Sequence, residues 1–210
     1  MYKSAKFWDR AADKYAASPI RNRDAYEATL DLVRQLLTPD DTVLELGCGT
    51  GTTAIALAPS LGRIIATDVS DGMLAKGREK ARDAATSNVE FLQSDAADAP
   101  EGPFDMVLAF NLLHLLEDVD SALAEIAKRT KPGGLFISKT FCMPAPSTMI
   151  WWIIQLGLPL AQAIGKAPYF AKISPADLDA AITRAGFTII ETQNAPGKDP
   201  RRTVIARKTN

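Results

Sequence analysis

A glycine-rich loop, a set of strand-ending acids and one histidine are the residues of this chain whose types and spacing could do chemistry. In TVLELGCGTGT (residues 42–52) an apolar run carries Glu45. Gly47, Gly49 and Gly51 follow on alternate positions, with the small Cys48 between the first two. Such a loop lets a ligand approach the main chain. A dinucleotide fingerprint would read G-x-G-x-x-G after a strand, and here Thr52 stands where the third glycine would be. Glu45 lies beside the place a pyrophosphate would occupy, where a carboxylate repels phosphate. It favours a ligand with positive charge and no phosphate; the plain alternative is a buried partner for a backbone amine. Asp68 follows Gly51 by 17 residues, close to the ~20 expected of a ribose-binding acid. Asp95 and Asn111 close two further apolar runs. His114, the single histidine, has an ordinary pKa of ~6.5 that suits a general base; a structural role is the alternative.

These residues need a scaffold that gathers strand ends. Residues 42–46, 63–69, 89–95, 104–111 and 133–141 are short apolar runs, which predicts five strands. Residues 24–37, 52–61, 71–85 and 118–130 read as helices, the first with Tyr26, Leu30, Val33 and Leu37 on one face. The fifth strand is entered through a turn at Pro132, Gly133 and Gly134. Ser174, Pro175 and Asp177 form a capped helix start, and Gly186 suits its left-handed end. Residues 187–193 and 202–208 are two more strands, expected to pair antiparallel. Alternating strands and helices imply an α/β sheet covered on both faces, its first five strands parallel and buried. Ligands of such sheets sit at the carboxyl ends of the strands, where Glu45, Asp68, Asp95 and Asn111 all fall.

The 210 residues, 47% hydrophobic and 23% charged with a net charge of −1, suit one globular domain. The balance excludes the basic footprint of nucleic-acid binding, and the clusters at 21–23 and 198–202 read as solvated loops. Cys48 and Cys142 match no metal spacing or disulfide framework, so no metal is expected and a reducing cytoplasm is. The opening residues hold no apolar signal-peptide core.

The segments VLELGCGTG (43–51), IIATDVS (64–70), FLQSDAAD (91–98), FDMVLAFNLLHLL (104–116) and KPGGLFIS (131–138) appear in this order. The set resembles the class I S-adenosylmethionine (SAM)-dependent methyltransferase family. FWDRAADKYA (7–16) is similar to the start of its ubiquinone-biosynthesis-like, small-molecule branch. SAM carries an ammonium and a sulfonium and no phosphate, as Glu45 would favour. The resemblance implies a Rossmann-like seven-stranded, mostly parallel sheet with an antiparallel C-terminal strand and helices on both faces. It implies one domain over 1–210, with an N-terminal helical segment (1–40) over the cofactor and a lid-like insertion (142–172). By the same resemblance, the backbone of Gly47, Cys48, Gly49 and Gly51 would lie against the methionine part of SAM, with Glu45 helping to hold it. Asp68 would accept from the ribose hydroxyls, Val69 and Met73 would pack near the adenine, and Asp95 with Ala96 would face its amine. Phe110 and Asn111 would flank the sulfonium, and Tyr15 would close over the cofactor. Met73 could equally be ordinary core. An NAD-dependent oxidoreductase stays open, against Glu45 and the missing glycine. So does a non-catalytic partner protein of the same fold, against an intact loop with Asp68 and Asp95.

The acceptor is written less plainly. Nucleic-acid and glutamine methyltransferases of this class often carry Asn/Asp-Pro-Pro-aromatic after the fourth strand, and this chain has FNLLH. A small molecule or lipid is therefore expected, such as a quinone-like phenol or a lipid amine. From Thr140 to Gly165 there is no charged residue, and 147–165 is strongly apolar. Gln155, Gly157, Pro159 and Gln162 interrupt it, and Pro144 and Pro146 precede it. A membrane crossing here would split the domain. A lid over a lipophilic acceptor, shallow membrane docking with Trp151 and Trp152 inserted, a homodimer surface and plain core remain as readings. The expected location is the cytoplasm, at the inner face of the membrane if the stretch docks.

Overall fold

The structure is a computed structural model that describes residues 4–20, 22–144, 148–194 and 199–209. Two helices, α1 (Ala5–Ala17) and α2 (Arg23–Arg34), precede the first strand. Then come β1 (Thr42–Leu46), α3 (Thr52–Leu57), β2 (Arg63–Asp68), α4 (Asp71–Asp83), β3 (Val89–Gln93) and β4 (Phe104–Phe110). The second half holds α5 (Val119–Arg129), β5 (Thr130–Phe141), α6 (Met149–Trp152), α7 (Leu158–Ala163), α8 (Pro175–Arg184), β6 (Phe187–Asn194) and β7 (Arg201–Lys208).

The sheet order is β3-β2-β1-β4-β5-β7-β6. The first five strands pair parallel, and β7 runs antiparallel to both its neighbours. This is the expected α/β, Rossmann-like sheet. Strand order reverses between β1 and β4, which opens a crevice at their carboxyl ends. Both faces of the central strands are buried, so β1, β2 and β4 are mostly apolar rather than alternating. Leu44, Leu46, Val107 and Phe136 pack on one side with Leu123, Ile126, Leu178 and Ile182. Val43, Ile64, Leu108 and Ile137 pack on the other with Leu30, Val33, Leu57 and Leu74.

Several boundaries move for local reasons. The helix expected over 52–61 gives way at Ala58–Ser60 to a 3-10 turn around Pro59, which lacks the N–H that would continue the α-helical ladder. The turn expected at Pro132–Gly134 lies inside β5, where Gly133 has φ +74° and the pairing with β4 shifts register. The basic cluster at 198–202 is not a solvated loop: Arg201 and Arg202 open β7 and pair with Asp199 and Asp179. Lys198 of that cluster and Arg21 of the other lie outside the described residues, as do residues 145–147 of the uncharged stretch.

The Ser174 cap is as expected: its hydroxyl oxygen accepts from the Asp177 N–H at 3.1 Å, and Gly186 sits at φ +93°. Ser174→Ala should lower stability by about 1 kcal/mol in urea denaturation; an unchanged midpoint would show that Pro175 alone starts α8.

The apolar stretch is helical from Met149 to Ala163, passing through a π-turn at Ile153–Gly157. Pro159 has no N–H, which frees a carbonyl of the preceding turn and accounts for the local widening. Ile154 is buried, but Met149, Trp152, Ile153, Leu156, Leu160 and Ile164 are exposed, so plain core does not describe the stretch. Among the described residues no helix is long and apolar enough to cross a membrane.

Candidate active site

Glu45 lies one residue before the end of β1, paired through its backbone with Ala66 and Leu108, and is 3% exposed. Its Oε2 is buried and has no hydrogen-bond partner. Burial pushes its pKa from 4.5 to about 8, with Asp68's charge adding and the Ala54 amide opposing. A backbone amide thus supports the Glu45 charge, and one of its oxygens is left without a partner among the described residues.

The three glycines all take positive φ, each against a different neighbour. A Cβ on Gly47 would lie 2.8 Å from Leu112 Cδ1, and one on Gly51 would lie 2.4 Å from Phe91 Cε1. Of the three, only Gly49 would take a Cβ without a clash, its nearest neighbour being Tyr15 Cε1 at 3.8 Å. The loop leaves room at Gly49 and is a packing slot at its two ends. Cys48 donates its N–H to Thr67 O at 2.8 Å, and burial raises its thiol well above the usual range, so it stays protonated and unreactive.

Asp68 ends β2, with Oδ2 accepting the Gly49 N–H and Oδ1 the Ser70 N–H, both at 2.9 Å. It ties the glycine loop to the next turn, and three donors on a carboxylate leave it acceptor capacity to spare. Burial raises its pKa against those amides. Asp95 lies two residues past β3, where its Oδ1 accepts from Ala97 and Asp98. The Ala96 side chain is buried in the core with Leu46 and Leu113, so its main chain is the part that can face a ligand. Met73 is buried as well, while Val69 is half-buried. Phe110 ends β4, half-buried, and Asn111 follows in the left-handed region at φ +55°, donating its N–H to Lys139 O. Asparagine tolerates that conformation better than most residues.

Tyr15 belongs to α1, and its ring reaches over Gly49. The side chain is 53% exposed, yet burial of its hydroxyl end and the charges of Asp68 and Glu45 raise its pKa. Sequence reading missed what holds α1 there. Asp9 Oδ1 accepts from Ser70 Oγ at 2.6 Å and from the Gly72 N–H at 3.1 Å, and Asp13 pairs with Lys76. It also missed Lys80, whose Nζ donates to Thr50 and Thr52 across the loop. Acids one helical turn apart in FWDRAADKY were the available signal for the first; nothing local marked the second.

His114 lies on a 3-10 turn after β4, buried between Phe141 and Phe170 at centroid distances of 6.0 and 5.3 Å. Phe141 and Phe170 meet edge to face at 5.2 Å. Burial lowers the His114 pKa to about 4, with Arg201's charge adding, so the ring is neutral at pH 7. Its Nδ1 accepts from the Phe141 N–H at 3.4 Å, which assigns the ring proton to Nε2. Phe170 comes from the insertion, which is tied here by the Ala171 N–H to His114 O at 2.7 Å.

A methyltransferase-domain family model matches residues 43–134, the span from the glycine loop to β5. Demethylmenaquinone methyltransferase of Thermobifida fusca is 33% identical over 165 residues, 74% of this chain and 69% of that one. The protein of the same name from Mycolicibacterium vanbaalenii is 32% identical over 177 residues, 77% and 74% of the two chains. The chain belongs to the class I SAM-dependent methyltransferases. Magnesium protoporphyrin IX methyltransferase from Synechocystis PCC 6803, solved with bound SAH, shares the fold with a TM-score of 0.71 at 20% identity, over 97% of this chain and 93% of that one. The methyltransferase uses SAM, which sets aside the dinucleotide oxidoreductase and the non-catalytic readings. Its own residues fit the cofactor: the buried, unpartnered Glu45 oxygen suits a cation, and the open face of Gly49 leaves space beside it.

Proposed function

We propose that the enzyme methylates a lipophilic, quinone-like aromatic acceptor. The observation that carries this reading is the trio His114, Phe141 and Phe170, packed ring against ring at the carboxyl ends of β4 and β5, with Phe170 brought in by the segment that follows the uncharged stretch. Such a wall suits a planar ring. The trio carries no acid to meet the cation of a lipid amine, which favours a phenol-type acceptor. The names of the Thermobifida and Mycolicibacterium relatives point the same way.

When bound, SAM supplies a methyl group on a positively charged sulfur that leaves as a neutral thioether. Glu45 offers its free oxygen to the methionine ammonium, and the backbone around Gly47, Cys48, Gly49 and Gly51 lies along that part. Asp68 uses its remaining lone pairs for the ribose hydroxyls, and Asp95 its Oδ2 for the adenine amine. Val69 borders the adenine, with Met73 behind it. Phe110 and Asn111 line the sulfonium side, and Tyr15 covers the cradle from the N-terminal segment. The chain's main contribution is to hold acceptor and methyl in line.

His114 fits donation from Nε2 toward an acceptor oxygen better than proton removal, because Nδ1 is engaged and its basicity is low. Incubation with SAM and a reduced menaquinone-like quinol should transfer methyl, and a lipid amine should not accept it; the reverse would sink the phenol reading. His114→Ala should keep turnover within about tenfold with SAM binding intact and the pH profile unchanged in shape. A loss of ~10²–10⁴, typical of a missing general base, would restore that role.

A further inference from the structure

We infer that the outer face of the helical run 149–163, with Ile164 just past its end, is a docking surface for an anionic lipid bilayer. Met149, Trp152, Ile153, Leu156, Leu160 and Ile164 recur at spacings of three and four, so they share one face of the helix. That face points to solvent: Met149, Leu156 and Leu160 are 77%, 69% and 68% exposed. The opposite face, with Ile154 buried and Trp151 and Leu158 half-buried, already packs on the protein. The helix thus has an inner apolar side that anchors it and an outer one that nothing among the described residues covers. Trp152 stacks edge to face on Trp151 at 4.8 Å, and tryptophan suits the boundary between acyl chains and headgroups.

Charge selects the partner. Between Phe141 and Asp177 the chain has no acidic residue and two lysines, Lys166 and Lys172. Lys166 is exposed just past the end of α7, and Lys172 reaches back to Gln155 on the run itself. An apolar stripe on a segment that carries two cations and no acid complements anionic headgroups over acyl chains. A second copy of this chain would set the same positive charges against one another. At 15 residues from Met149 to Ala163, the helix suits lying in the interface and is too short to span a bilayer. Phe170, between the two lysines in sequence, touches His114, so the docked face adjoins the acceptor wall.

The inference does not depend on the acceptor, and its test uses neither SAM nor acceptor, so its failure is separate from a failure of the methyl-transfer reading. Wild-type protein is sedimented with vesicles of phosphatidylglycerol and phosphatidylcholine, and with phosphatidylcholine alone. The expected result is binding to the anionic vesicles that weakens with salt. Leu156→Gln/Leu160→Gln should reduce it by on the order of tenfold or more, with an unchanged circular-dichroism melt. Lys166→Gln/Lys172→Gln should weaken binding and flatten its salt dependence. The proposal is overturned if wild type stays in the supernatant or if the leucine variant binds undiminished. It is overturned equally if sedimentation equilibrium shows a dimer that the leucine variant converts to monomer.

Discussion

Glu45→Gln should make the ligand-free enzyme more stable and cost it about two orders of magnitude in SAM affinity, the scale of removing one partner of a buried charge pair. The two effects have one cause. Glu45 is fully buried with one oxygen unpartnered, and its folded pKa stands near 8 against 4.5. The folded state therefore keeps a proton that the unfolded state gives up. Stability is fully present below pH 4.5 and falls as pH rises toward about 8, at up to ~1.4 kcal/mol per pH unit. Glutamine cannot ionise, so the variant should lack this decline, and urea midpoints for both proteins across that window read it directly. Binding runs in the opposite direction. A cation beside Glu45 requires the carboxylate, so SAM affinity should rise with pH toward about 8, with proton release visible in buffers of different ionisation enthalpy. If Glu45→Gln left both midpoint and affinity unchanged, the buried carboxylate would have no part in holding SAM.

Gly51→Ala should cost roughly 2–4 kcal/mol, from left-handed strain plus overpacking. Its Cβ would lie 2.4 Å from the Phe91 ring, and that ring is confined from the other side by Gly77, whose own Cβ would approach it to 2.7 Å. Phe91→Leu in the same chain should recover part of the loss. Gly49→Ala is the contrast. Its φ of +55° imposes strain of ~1 kcal/mol, but among the described residues its only neighbour within 4 Å is Tyr15 Cε1 at 3.8 Å. That variant should fold and bind SAM at least ~10²-fold more weakly, because the methyl occupies the cradle. Calorimetric titration checks affinity, and thermal unfolding checks stability. Gly49→Ala binding like wild type would place the cofactor elsewhere than under Tyr15.

The sequence by itself determined the order and type of the central elements. The strand at 42–46 stands at the predicted bounds, and 63–69, 89–95 and 104–111 end within two residues of them. The reason is that these signals are local: apolar runs, a capping serine and turn glycines act over a few residues. It also placed Glu45, Asp68 and Asn111 at one edge, because in a parallel sheet every strand delivers its carboxyl end to the same side. What it could not hold was any property set by residues distant in the chain. Gly47 and Gly51 are glycines because of Leu112 and Phe91, contacts 65 and 40 positions away. Tyr15 covers the loop because Asp9 caps α4, 61 positions on from it at Ser70. Histidine chemistry followed the same rule. His114 carried an ordinary base's pKa on paper, and the tertiary structure removed it by burying the ring among Phe141, Phe170 and the Phe141 amide. The apolar stretch was plain in composition, but which of its residues face solvent depends on where Ile154 finds the core. Burial and charge are sums over neighbours in space, and only the folded chain says who those neighbours are.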